Sequence, residues 1–129
     1  MNDPKNYSKL MMLHCSKILT KMAGKTYQDW VQDENLRDAV CMRLMSLTEC
    51  VKEYLKENKD IPDKFPNIPW DNIVRFRNKI AHHYDRIDYD VVWGILESDI
   101  QPLHEVISRL VVEKSQIVPV KNKDMGFSR

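Results

Sequence analysis

Leu36, Val40, Leu44, Leu47 and Val51, followed by Tyr54 or Leu55, recur in steps of three and four. Held over about five turns, that spacing puts one apolar face along a long helix beginning near Glu34, and such a face must be buried against other elements. Glycine narrows the choice of those elements. The chain has only three glycines in 129 residues, whereas tight hairpins and phosphate-cradling loops both draw on positive-φ residues. A turn-rich β protein, a Rossmann fold and a P-loop are therefore disfavoured, and the expected class is all-α.

Further stripes complete a bundle. Met11, Cys15, Ile18, Leu19 and Met22, with Leu10 and Leu13 beside them, predict a helix over 7–22 that Gly24 is suited to end. Residues 27–31 predict a short helical turn that sets Trp30 as an aromatic plug against the core. Trp70, Ile73, Phe76 and Ile80 face inward from a helix opening at about Pro69–Trp70 and running to Ala81, with Asp71 complementing its dipole. Val92, Leu96, Ile100, Leu103, Ile107 and Leu110 mark a last long helix, roughly Tyr89 to Glu113. Its period continues across Pro102, which predicts a kink there rather than a break. Residues 58–69 hold three of the six prolines and are expected to be a connection. No strand pattern competes, and there is no internal repeat. The expectation is an antiparallel bundle of four main helices plus a short extra helix. A single domain would cover 1–113, with 114–129 as a flexible C-terminal tail.

Charge and cysteine usage bound the function. Twenty Lys+Arg against 19 Asp+Glu give a net charge of +1, which excludes a uniformly basic nucleic-acid coat or a polybasic membrane binder but not a local basic patch. No apolar run approaches the roughly 18 residues needed to span a bilayer, and residues 1–6 lack a signal peptide's apolar region. Cys15, Cys41 and Cys50 have no CxxC spacing and read as reduced, buried thiols of a cytoplasmic protein, with no metal expected.

One segment departs from bundle logic. Residues 75–86 carry Arg75, Arg77, Lys79, Arg86, His82, His83 and Tyr84 against a single acid, Asp85. Arginine offers a planar fork of donors matched to phosphate oxygens, and histidine moves protons near neutral pH. Together they could hold a phosphodiester and transfer a proton without a metal. The same residues also describe a solvated basic helix end that complements the macrodipole. Geometry adds a constraint. Positions 77 and 82 lie about 140° apart on a straight helix, so the pair converges only if the helix unwinds before His82 or if two copies of the segment meet across a two-fold interface. The second solution is the expected one.

The run Arg77-Asn78-Lys79-Ile80-Ala81-His82-His83-Tyr84 resembles the RX4HXY signature of HepT-like toxins, a branch of the HEPN superfamily. Pro69-Trp70, the stretch from Asp88 to Trp93, the run from Asp99 to Leu103 and the stretch from Trp30 to Val40 are similar to family landmarks, so the resemblance covers roughly residues 8 to 110. It implies an all-α bundle that forms a homodimer or higher oligomer, acts on RNA as a metal-independent endoribonuclease and needs no cofactor. By that resemblance Arg77 polarises the scissile phosphate, and His82 transfers a proton as the 2′-OH attacks. Asn78 orients the site, while Arg75, Lys79, His83 and Arg86 contact RNA. Tyr84 is the implied acceptor of AMP from an MntA-type minimal nucleotidyltransferase, the cognate antitoxin. Arg75 with His82, and Arg77 with His83, also satisfy a looser spacing; Asn78 after the arginine and Tyr84 two after the histidine select Arg77 and His82. The alternative is a non-catalytic HEPN module that binds a nucleotide or the partner. One departure is local: where the family often carries an Ile-Gly-Glu-Ala-like run, this chain has Leu47-Thr48-Glu49-Cys50. Glu49 could be buried near the cleft or solvated, and His14 and His104 read as boundary or surface residues rather than ligands.

Overall fold

The computed structural model describes residues 6–82 and 86–117; within these, the side chains of Arg77, of 79–82 and of 114–117 lie outside the description. Seven helices follow one another among the described residues: α1 (Tyr7–Met22), α2 (Tyr27–Gln32), α3 (Glu34–Glu57), α4 (Ile61–Lys64), α5 (Trp70–His82), α6 (Tyr89–Ser98) and α7 (Ile100–Ile117). No strand occurs among them. α3 is the central element, packing against α1 on one side and α5 on the other, while α7 closes on α1 and α6 on α7. α2 bridges the starts of α3 and α6.

The apolar stripes are the core. Met11, Cys15 and Ile18 from α1 meet Val40, Leu44, Leu47, Val51 and Tyr54 from α3, all buried. The choice left open at the end of that stripe falls to Tyr54, with Leu55 only packed against the edge. Trp70, Ile73 and Phe76 of α5 and Ile100, Leu103, Ile107 and Leu110 of α7 complete one continuous cluster. Trp30 is fully buried, as a plug should be. Leu10 and Leu13, flanking the first stripe, are exposed.

Local chemistry sets the ends of these helices. Gly24 takes φ 73° directly after the cap residue of α1, a left-handed conformation in which a Cβ is disfavoured. Thr26 and Asp29 form a reciprocal capping box at α2: the Asp29 amide donates to Thr26 Oγ1 at 3.1 Å and the Thr26 amide to Asp29 Oδ2 at 2.9 Å. Asp33 alone separates α2 from α3 and accepts from the Leu36 amide at 3.0 Å. Asp88 starts α6 by accepting from the amides of Asp90 and Val91 at 3.0 and 3.3 Å.

Two expectations need correction. The proline-rich connection contains α4, a turn anchored by the buried Ile61, with Pro62 near its start where no backbone donor is needed. The last long helix is two helices: the chain breaks at Asp99 instead of kinking at Pro102. Proline cannot donate to the carbonyl four residues back, and its ring crowds that carbonyl. Restarting the helix at Ile100 puts Pro102 in the first turn of α7, where its missing donor has no intrahelical partner in any case. Asp99 keeps the two segments in register, its amide donating to the Ile95 carbonyl at 2.8 Å and its carbonyl accepting from Leu103 at 3.1 Å. α7 continues past Glu113 to Ile117.

Candidate functional site

α5 presents the basic segment. It begins after Pro69, whose carbonyl accepts from the Ile73 amide at 3.0 Å, and Trp70 Nε1 donates to the Phe65 carbonyl at 2.9 Å. That pins the helix start to the connection and the apolar face to α3. The helix then runs without interruption through His82. Unwinding before His82 is therefore ruled out, and positions 77 and 82 stand about 140° apart around the axis. Position 75 lies within about 20° of position 82, so Arg75 and His82 share one face, and Asn78 is close to it by register.

Among the candidate residues, Arg75, Asn78 and Arg86 are exposed. Arg75 Nη2 donates to Asn72 Oδ1, one turn earlier, at 2.6 Å. Arg77, Lys79 and His82 are placed on the helix by backbone alone, and His83 and Tyr84 lie outside the described residues.

Further along the chain, the start of α6 is held by an aromatic clamp. The buried Trp30 indole donates to the Tyr89 carbonyl at 2.9 Å and its ring meets the Tyr89 ring edge-on at 6.2 Å. Arg37, from the first turn of α3, stacks its guanidinium 5.0 Å over the Tyr89 ring. The same group donates to the carbonyls of Trp30, at 2.9 Å, and Val31, closing the end of α2. Tyr27 donates its hydroxyl to Asp90 Oδ1 at 2.6 Å and packs edge-on against Trp93; that hydrogen bond raises the Tyr27 pKa. α2 and α3 thus hold the first turn of α6. Arg37 and Tyr89 were visible in the sequence only as landmarks and Trp30 as a core plug; their mutual contacts join positions up to 59 residues apart, which local spacing does not reveal.

The other candidates sit on α1, α3 and α7. Glu49 is half-buried on α3, with Oε1 shut off from solvent. All three cysteines are buried free thiols; burial pushes Cys15 up to about 12 and Cys41 up to about 11, so neither is a thiolate at neutral pH. His14 Nδ1 lies 3.1 Å from Arg43 Nη1, and burial followed by that guanidinium lowers its pKa. His104 Nε2 lies 3.3 Å from Ser16 Oγ. Among the described residues no group of three or more His, Cys, Asp or Glu could hold a metal, and no helix is long and apolar enough to cross a membrane.

The described fold is an all-helical bundle in which α5 carries the arginine and histidine positions and α2 and α3 clamp the start of α6. The family model described as ribonuclease HepT-like matches residues 12–110, and the chain belongs to that family. A protein of Methanocaldococcus jannaschii named "Putative RNase" is 31% identical over 86 residues, 64% of this chain and 69% of that protein. Another of that name from Caldanaerobacter subterraneus subsp. tengcongensis is 25% identical over 111 residues, 86% of this chain and 96% of its own length. "Probable ribonuclease HepT" of Thermococcus cleftensis is 30% identical over 88 residues, 65% of this chain and 74% of that protein. No solved structure matches significantly.

Proposed function

We propose that this chain is a cytoplasmic, metal-independent endoribonuclease, the toxin of a toxin–antitoxin pair, whose sites form between two copies. The observation that carries the reading is the unbroken course of α5 through His82. Positions 77 and 82, about 140° apart, face different sides of one helix, which supports a site shared with a second α5 across a two-fold axis. Arg77 of one protomer binds the scissile phosphate and His82 of its partner moves the proton. The 2′-OH attacks phosphorus as His82 takes its proton, and His82 returns that proton to the 5′ oxygen as its bond to phosphorus breaks, leaving a cyclic phosphate and a 5′-hydroxyl. Asn78, Arg75, Lys79, His83 and Arg86 line the approach. An MntA-type nucleotidyltransferase silences the site by transferring AMP from ATP to Tyr84 with release of pyrophosphate, placing negative charge and adenine bulk in the RNA path.

The test is RNA cleavage in the presence of chelator by wild type, Arg77→Ala and His82→Ala, each alone and then mixed after subunit exchange. Both variants are expected to be inactive, and the mixture to recover up to about one quarter of wild-type activity, since half the dimers carry one intact composite site. No recovery would refute the shared site, and equal cleavage by all proteins would refute catalysis in favour of a binding module. Chelator-sensitive cleavage would refute metal independence. Intact mass after incubation with the partner and ATP tests the modification: the adduct is expected in AMP steps on Tyr84.

A further inference from the structure

Behind the first turn of α5 lies an open groove of about 410 Å³, walled by Pro62, Pro66 and Pro69 and edged by Asp71, Asn72 and Arg75. Its size falls in the range of small-ligand sites. The edge residues are exposed and the prolines exposed or half-buried, so the groove is accessible. We propose that it is a nucleotide subsite that holds one unit of single-stranded RNA upstream or downstream of the scissile phosphate, an inference that rests on the ribonuclease reading above.

Charge and orientation argue for this occupant. Arg75 is held by Asn72 Oδ1 at 2.6 Å, which fixes the plane of the guanidinium and leaves most of its donors available. No carboxylate is bridged to Arg75 among the described residues, not even Asp71 one turn before it. A pre-aligned guanidinium with no bridged carboxylate at the mouth of a groove is suited to a phosphate. The proline rings offer flat apolar surfaces for a base. Asp71 and the Asn72 amide supply acceptors and donors for the ribose hydroxyl or a base edge, the groups that separate RNA from a bare polyanion. Continuity with the site is set by helix register: position 75 lies within about 20° of position 82 and roughly 10 Å before it along the axis. A strand with its scissile phosphate at the level of His82 therefore passes Arg75 on the same face.

The test uses the full chain carrying His82→Ala, which holds RNA without cleaving it, and a fluorescent single-stranded oligoribonucleotide titrated at several salt concentrations. Adding Arg75→Ala is expected to weaken binding about three- to tenfold at moderate salt. It should also lower the slope of log affinity against log salt by about 0.7, the share of one single-strand phosphate. Asn72→Ala, which frees the guanidinium without removing it, is expected to weaken binding less and to leave most of the slope. Thermal melts check that both variants fold. An unchanged slope and affinity in Arg75→Ala would overturn the subsite while leaving the ribonuclease reading intact. Failure of the His82→Ala protein to bind RNA, with no cleavage by wild type, would overturn both. A change of oligomeric state in Arg75→Ala in place of a change in RNA affinity would assign the groove to a second copy of the chain and overturn the proposal.

Discussion

Replacing Arg37 with alanine removes one side chain of α3 that reaches both α2 and α6. Its guanidinium donates to the Trp30 and Val31 carbonyls and lies 5.0 Å over the Tyr89 ring. A hydrogen bond from a charged donor is worth about 1.5–3 kcal/mol when enclosed. Arg37 is only half-buried, and the carbonyls at the end of α2 can turn to water, so about 0.5–1 kcal/mol each is the appropriate range. The ring contact adds about 0.5–1 kcal/mol. The sum is about 2 kcal/mol. For a chain of 129 residues, a loss of 1 kcal/mol lowers Tm by about 3–5 °C, so the variant should melt about 6–10 °C below wild type. Arg37→Lys keeps a cation and one donor but loses the planar fork, and should recover about half of the deficit. Urea denaturation gives the free energy, and amide exchange locates it: protection should fall first in α2 and the opening turn of α6. A loss below about 0.5 kcal/mol, or one spread evenly over the bundle, would refute the clamp as the element that holds α2 against α6.

The two glycines that the structure describes should respond in opposite directions. Gly24→Ala places a Cβ at φ 73° with no atom to meet it, so only backbone strain acts, and denaturation should show a loss of about 1 kcal/mol. Gly94→Ala, in mid-helix with open space around it, should gain up to about 1 kcal/mol in the same assay. His14 has a pKa below its ordinary 6.5 in the fold, so the unfolded chain takes up the proton more readily. Its contribution to stability is complete above about pH 6.5 and lost as pH falls below it. Denaturation midpoints of wild type should therefore decline on acidification more steeply than those of His14→Gln. Cys15 and Cys41, with thiols pushed up to about 12 and about 11, should resist alkylation at pH 8 until denaturant is added, as read by mass spectrometry.

What the sequence made legible was what depends on spacing along one helix. The stripes placed α1 and α3 and the start of α5, because one-sided burial imposes a period that survives in the residues themselves. The clamp was not legible: Tyr27 and Asp90 are 63 residues apart, and only the fold brings the hydroxyl to the carboxylate. Asn72 and Arg75 are a different case, since a pair three apart on a helix is a local signal that was available and was passed over. The break at Asp99 escaped because an apolar period continues through a one-residue interruption. It records which face is buried and not whether the backbone bonds persist. Arg77 and His82 were singled out by type and order. Their divergence around α5 became a constraint once the helix was seen to run through His82.

A single residue, Asp33, ends α2 and starts α3. A joint that short leaves no slack: one inserted residue would separate the end of α2 from the Asp33 cap of α3 and shift Trp30 relative to its socket. Length changes in relatives should therefore gather in the stretch around 65–69 and at the chain ends, and be rare between Thr26 and Arg37. The same rule tells a protein engineer where a tag or a reporter loop can be spliced into the bundle, and where the molecule has no room for one.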